Sequence, residues 1–367
     1  MKTVGTLAAM ADVQPFRAVR YSGAAGPLAD LVAPPYDAVD TEERARLFTR
    51  SPYNVVHVTL PESVDEAARL YRDWLASGIL ERDAEDASWI AVETYVGPDG
   101  VERRRRGVIA SLAAEPYAPG GVLPHERTHP RIRDDRLELL RATRVQPEPI
   151  LLLADAPVEP GVPDAEPDLQ VDGTRLWRVE PPEAGIDVGE LLIADGHHRY
   201  ESAVELGREL GTWTRIMALV VSTDDLGLHV FPTHRFFVGR PELEALREGE
   251  PCSDLGDGKR RLDELPHGRS GGIAYRRGSV ELISGPEGDL DPALVDRHGL
   301  EGIRYTPREE EATGAVDDGV ADVAFILREP SIDEVFAVAR RGERMPQKST
   351  YFYPKPLSGL VFHPLEP

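Results

Sequence analysis

The chain of 367 residues contains a single cysteine, Cys252. No intramolecular disulfide, multi-cysteine metal site or redox pair can be built from it. It sits in "GEPCSDLGDG", a polar stretch that reads as loop, and is taken as incidental. No run of about 18 apolar residues occurs, so no membrane span is expected. The opening "MKTVGTLAAMADVQPF" is too weakly apolar for a secretory leader, which points to a cytoplasmic protein. Positive charge is scarce: 42 Lys and Arg stand against 64 Asp and Glu, a net charge of −22. Such a surface repels nucleic acid and anionic lipid, and neither is an expected partner. There is no G-x-G-x-x-G and no G-x-x-x-x-G-K-[ST], so neither a dinucleotide fold nor a P-loop is expected.

What is present is a 41% hydrophobic chain with 32 prolines and 33 glycines, enough for a sizeable core joined by long structured loops. "DTEERARLFTR" (40–50), "SVDEAARLYRDWLASGIL" (63–80), "RDDRLELLRATRV" (133–145), "HRYESAVELGREL" (198–210) and "SIDEVFAVAR" (331–340) read as helices. "NVVHVTL" (54–60), "PILLLAD" (149–155), "LLIAD" (191–195), "RIMALVVS" (215–222), "LGLHVFP" (226–232) and "ADVAFILRE" (321–329) read as strands. "SWIAVETYV" and "GVIASLAA" flank "GPDG" as a β-hairpin. The mixture gives an α/β class in the mixed α+β sense. The expected division is a main domain over 12–240, a small inserted subdomain over 241–320, and a C-terminal strand, helix and tail over 321–367 that return to the site. No internal repeat is visible.

"HERTH" (125–129) matches the zinc-protease pattern H-E-x-x-H, whose chemistry needs both histidines one turn apart on a helix. Here Pro124 precedes the motif and Pro130 follows it, so His129 is expected to be extended. A catalytic or phosphate-contacting loop made by His125, Glu126 and Arg127 is preferred. A surface capping loop and zinc hydrolysis are the alternatives.

"IADGHHRYESA" (193–203) runs from a strand end into a helix. Gly196 lets the chain turn sharply, leaving the first helical N–H groups unpaired at the positive end of the helix dipole, a natural anion site. Arg199 adds a fork of donors suited to phosphate or carboxylate. His197 and His198 donate to phosphate oxygens or shuttle protons. Asp195 would repel an anion, so it is assigned either to a Mg²⁺ bridging phosphates or to taking a proton from an attacking hydroxyl. The plainer alternative is a capping aspartate followed by two solvent-facing histidines.

Further polar groups occur in "FPTHR", with His234 and Arg235, and in "PQKST", with Lys348. "RRRR" (103–106) reads as a solvated basic patch outside the site. The histidines cluster beside arginines in an acidic chain: His125 with Arg127, His197 and His198 with Arg199, His234 with Arg235. A local positive pocket of that kind selects a small anion such as a nucleotide or phosphorylated metabolite.

"VAPPYDAV" (32–39), "SPYNVVHV" (51–58), "RRGVIA" (105–110), "LPHERTHP" (123–130), "DDRLELLRAT" (134–143), "IADGHHRYESA", "FPTHR" and "MPQKSTYFYPKPLSGLV" (345–361) occur in one order. Together they resemble a bacterial and archaeal family known as domain of unknown function 1015, from about Pro15 to His363. The D-G-x-H-R core is in addition similar to the phosphate-binding stretch of the partition-protein and sulfiredoxin-like fold, whose members include nucleotide hydrolases, sulfiredoxin and free-serine kinases. That resemblance implies a partition-protein/sulfiredoxin-like core with an added β-hairpin and a smaller subdomain. It implies a base or metal-side role for Asp195 and phosphate contacts from Gly196, His197, His198 and Arg199. The kinases use a glutamate from elsewhere in the chain, for which Glu126 and Asp37 are the candidates. Histidine stands where sulfiredoxin needs cysteine, and no DNA-binding helical domain is evident, which argues against those two roles.

The expected function is therefore a phosphotransferase that uses ATP, ADP or pyrophosphate with Mg²⁺ to phosphorylate a free small hydroxyl metabolite, with L-serine foremost. Asp195, His198 and Glu126 would be catalytic. Gly196, His197, Arg199, His125, Arg127, His234, Arg235 and Lys348 would hold the phosphorylated ligand, and Asp195 and Asp37 the metal. The alternative is a nucleotide- or phosphometabolite-binding regulatory protein without turnover. Oligomeric state is left open.

Overall fold

Asp40 accepts a hydrogen bond from the Glu43 amide at 2.8 Å and so opens helix α1 (Thr41–Arg50), as its position before an amphipathic run predicts. The computed structural model containing it describes residues 11–180, 187–266 and 268–365. The stretch 54–60, expected as a strand, is instead a turn leading into the short helix α2 (Val56–Thr59). Asn54 decides this. Its Oδ1 accepts from the Val56 amide at 2.9 Å, while its Nδ2 donates to the carbonyls of Asp30 and Val32. The polar side chain closes a local turn, and burial of Val56, Val58 and Thr59 overrides their strand preference. Ser63 caps α3 (Val64–Ala76), whose Ala67, Tyr71 and Trp74 are buried. Leu47, Val56, Trp74 and Phe362 share one core cluster.

The chain divides into two compact units: Met1–Tyr95, Glu102–Leu228 and Pro354–Pro367 form one, Val96–Val101 and His229–Tyr353 the other. The first unit is built on a mixed sheet. Its main path consists of β1 (Ser88–Val96), β2 (Glu102–Ala113), β3 (Val122–Pro124), β4 (Ile150–Ala154), β5 (Leu169–Val171), β6 (Thr174–Val179), β7 (Leu191–Asp195) and β8 (Arg215–Ser222), in the order β3-β7-β4-β8-β2-β1-β6-β5, and the two-residue strand Val13–Gln14 pairs with β2 off this path. The expected hairpin is β1 and β2. β3 runs parallel to β7 and β4 parallel to β8, while β7 and β4 are antiparallel. All five residues of β4 are buried, which accounts for its unbroken apolar run. Helix α4 (Pro130–Thr143), with proline in its first turn, and helix α5 (His197–Leu210) pack Leu137, Leu140, Tyr200 and Ala203 against Leu152, Ile193 and Val220.

"RRRR" is not the solvated patch expected. Arg105 is fully buried, donating from Nε and Nη2 to Glu93 Oε2 at 2.8 and 2.7 Å and from Nη2 to the Pro354 carbonyl at 2.7 Å. Arg106 pairs with Asp225. Side chains alternate across a strand, so a run of four arginines sends some of them inward.

The second unit carries β9 (Val230–Phe231), β10 (His234–Phe237), β11 (Glu250–Cys252), helix α6 (Leu255–Asp263), β12 (Arg269–Arg276), β13 (Ser279–Glu287), β14 (Ile303–Thr306), helix α7 (Glu309–Asp317), β15 (Val323–Ile326) and helix α8 (Ile332–Arg340). Its antiparallel sheet has the order β11-β13-β12-β15-β10-β14. β15 alternates Val323 and Phe325 into one core cluster with Ala324 and Ile326 into another. Because β15 lies inside this sheet, the stretch 321–340 belongs with 241–320 rather than standing apart from it. "LGLHVFP" is a strand only at β9; before it, Asp225 closes a turn by accepting from the Gly227 amide. Cys252 ends the strand β11 and is not in a loop. Among the described residues no helix is long and apolar enough to cross a membrane. The N-terminal stretch read above for a leader begins in residues 1–10, outside the described residues.

Candidate functional site

Strand β7 carries an irregularity in its pairing with β4 between Ile193 and Asp195, and the chain then turns at Gly196. Gly196 has φ +99°, and a Cβ there would meet Ile150 Cγ2 at 2.5 Å. Only glycine fits both constraints. No side chain caps α5, and its first internal bond is the Tyr200 amide to the Gly196 carbonyl. The amides of His197, His198 and Arg199 therefore open onto the helix entrance without a helical acceptor, at the positive end of the dipole.

The "HERTH" segment lies against this entrance and is not helical. His129 is extended (φ −90°, ψ 121°) as the cap of α4. Its amide donates to His198 Nε2 at 2.8 Å, and the His125 amide approaches His197 Nε2 at 3.4 Å. An amide only donates, so His198 Nε2 is an acceptor and its ring proton sits on Nδ1. Burial lowers the His198 pKa, against the charges of Glu201 and Asp37 that raise it. His125 Nδ1 donates to the Ile193 carbonyl at 2.8 Å, and the His125 and His197 rings meet edge to face at 4.8 Å. Thr128 donates to Glu201 at 2.6 Å. Glu126 is half-buried, and Arg127 is exposed with no side-chain hydrogen bond to a described residue.

Asp195 stands between two cations. Its Oδ2 accepts from Arg199 Nη2 at 2.8 Å, and its Oδ1 lies 2.7 Å from Lys355 Nζ. Lys355 also donates to Asp37 Oδ2 at 2.8 Å. Burial pulls the Lys355 pKa down, but the charges of Asp195 and Asp37 outweigh it and hold the pKa above its ordinary value. Arg199 donates further to the Pro149 carbonyl and lies 3.4 Å from Glu148 Oε1, and Ser358 donates to Glu148 Oε2. Much of the Arg199 fork is thus engaged by protein acceptors. Tyr36, beside Asp37, has its pKa pushed up to about 12 by burial, and its ring lies under the Arg136 guanidinium at 4.4 Å. Next to Arg199 and Glu148 opens a pocket lined by Val58, Thr59, Arg136, Leu140 and Gln146, in which Thr59 Oγ1, Arg136 Nε and Arg199 Nε have no hydrogen-bond partner.

The two carboxylates assigned from the sequence to a metal do come together, but the cation between them is an ammonium. Among the described residues no group of three or more His, Cys, Asp or Glu side chains is arranged to hold a metal ion.

The remaining sequence candidates lie in the second unit. His234 Nδ1 accepts from the Leu327 amide, and burial lowers its pKa to about 4. Arg235 is fully buried, bound to Asp296, the Thr233 carbonyl and the Gln347 carbonyl. Lys348 is exposed at φ +55°. Within that unit His234 and Arg235 hold the sheet to neighbouring segments.

Sequence reasoning passed over Lys355, Glu148 and Tyr36. A usable signal existed for the first two. "YPKPL" and "QPEPI" each bracket one charged residue between prolines, which restricts the backbone and fixes where the side chain projects.

A family model described as protein of unknown function (DUF1015) matches residues 13–256. The chain belongs to this family. An ATP-dependent L-serine kinase from Staphylothermus marinus is 22% identical over 241 residues, covering 62% of this chain and 81% of that protein. Among solved structures, a free serine kinase in complex with AMP is 19% identical, with a TM-score of 0.41 over 65% of this chain and 88% of that one. A conserved hypothetical protein from Pyrococcus furiosus is 21% identical, with a TM-score of 0.38 over 64% and 90% of the two chains.

Proposed function

We propose that the chain is a phosphotransferase that moves a phosphoryl group from a nucleotide or pyrophosphate to a small hydroxyl compound. ATP is the first donor to test, then ADP and pyrophosphate, and L-serine is the first acceptor. The observation that carries the reading is the entrance of α5, which no side chain caps behind Gly196, with the His125–His129 loop folded against it. The likeness to an ATP-dependent L-serine kinase supports the choice of donor and acceptor.

In this reading the phosphates rest on the amides of His197, His198 and Arg199, with Arg127 adding an exposed charge. Arg199 orients Asp195, and His125 supports the loop. The acceptor oxygen attacks the terminal phosphorus, a new O–P bond forms as the bond to the leaving nucleotide breaks, and the hydroxyl proton passes to Asp195 or Glu126. A carboxylate oxygen holding one hydrogen bond keeps a second lone pair, so Asp195 retains acceptor capacity. Catalysis of this kind is mostly positioning and charge neutralisation. Mg²⁺ carried on the nucleotide's own phosphates would neutralise charge there, and no protein ligand is assigned to it.

The second reading, nucleotide binding without turnover, draws on one observation: both oxygens of Asp195 already face cations. Incubation with each donor and L-serine, followed by mass spectrometry for phosphoserine, separates the two. The expected result is product, with Arg127→Ala folded but weaker for nucleotide by about tenfold. Nucleotide binding with no product across a panel of hydroxyl acceptors would favour the second reading, and absence of nucleotide binding would end both.

A further inference from the structure

We propose that Lys355 is a built-in cation that takes the place of a divalent metal between Asp37 and Asp195. This rests on geometry alone and not on the phosphotransfer reading.

The Lys355 ammonium lies 2.8 Å from Asp37 Oδ2 and 2.7 Å from Asp195 Oδ1, hydrogen-bond distances to both. Its side chain is 19% exposed, so the pair is largely shielded from water. The segment that delivers it is tied down on both sides. The Pro354 carbonyl accepts from Arg105, Ser358 exchanges backbone bonds with Ala33, and the Gly359 amide donates to the Pro147 carbonyl at 2.7 Å. Flanking prolines restrict the backbone at residue 355 itself. A strap anchored in this way places the ammonium without the freedom that an exposed lysine keeps.

An ammonium has three donors. Two are used here, and the third has no acceptor among the described residues. It is available to an oxygen of a bound anion, which is the service a bridging metal would perform. A metal would need several oxygen ligands at about 2.1 Å, and with the lysine in place the two carboxylates already have their counter-ion. Lys355 lies outside the residues that the family model matches, so the device is carried by the C-terminal segment.

The test uses the full chain without nucleotide and Mn²⁺ as the probe, read by electron paramagnetic resonance. Wild type and Asp37→Asn are expected to give the same weak titration. Lys355→Met is expected to gain one site at least tenfold tighter than any in wild type, and the gain should vanish in the double variant with Asp37→Asn. A wild-type Mn²⁺ site that Asp37→Asn removes would overturn the proposal, as would a Lys355→Met protein that binds no better than wild type. Circular dichroism checks folding. If Lys355→Met is unfolded, Lys355→Gln replaces it, and the wild-type comparison with Asp37→Asn still decides.

Discussion

The backbone N–H of His129 donates to Nε2 of His198 at 2.8 Å. One bond thereby joins the segment before α4 to the first turn of α5 and demands a neutral imidazole. Protonation would put a second donor where the amide already points. Because burial lowers the His198 pKa, the neutral form persists below the ordinary histidine value of 6.5 and the bond breaks only as pH falls through the lowered one. Nitrogen NMR of the histidine rings should show His198 with its proton on Nδ1 at neutral pH and a midpoint below that of a free imidazole. A midpoint above the ordinary value would contradict the bond.

His363 makes a pH prediction for the whole first unit. Its Nε2 meets Ser111 Oγ at 2.8 Å, and burial lowers its pKa from 6.5 to about 4. A depressed folded value means that the unfolded chain binds the proton first. Stability is full above about pH 6.5 and is lost as pH falls toward 4, by on the order of 3 kcal/mol from this residue. Urea unfolding across that window should show the loss, and His363→Gln should flatten the slope while lowering stability at neutral pH.

Gly196→Ala should be among the costliest single-methyl additions in the chain. It combines positive φ with a Cβ set 2.5 Å from Ile150. A loss of about 2–4 kcal/mol is expected from strain and overpacking together, measured as a lower urea midpoint. Gly211, also at positive φ but with open space around its Cβ position, provides the control, since alanine there carries the backbone strain alone.

The pair of Arg105 and Glu93 is buried on both sides, at 0% and 7% side-chain exposure. Glu93→Gln leaves the guanidinium without its counter-charge and should cost about 3–5 kcal/mol, whereas an apolar replacement of both partners should recover most of that. Because Arg105 also holds the Pro354 carbonyl, the single variant should loosen the neighbouring Lys355, seen as faster hydrogen exchange in residues 354–360.

What could be read from the sequence was whatever is decided within a few residues. The cap at Asp40, the prolines that keep "HERTH" out of a helix, and the strand–glycine–helix punctuation at 195–197 are all local devices, and all are present. Asn54 is local too, but its bonds to Asp30 and Val32 need a partner segment, so the β-branched run after it read as strand. Arg105 and Lys355 depend on pairings across 12 and 318 residues, and no spacing rule links them. Tyr36 gave no signal beyond its place in a proline-rich turn.

The tail strap has a consequence for how the centre comes into being. Asp37, Asp195 and Arg199 are all translated before Lys355. The ammonium that reconciles their charges arrives 318 residues after Asp37. A chain halted before Pro354 would lack this ammonium and leave Asp195 to Arg199 alone, so the charge balance of the centre is completed only when the distant strap arrives.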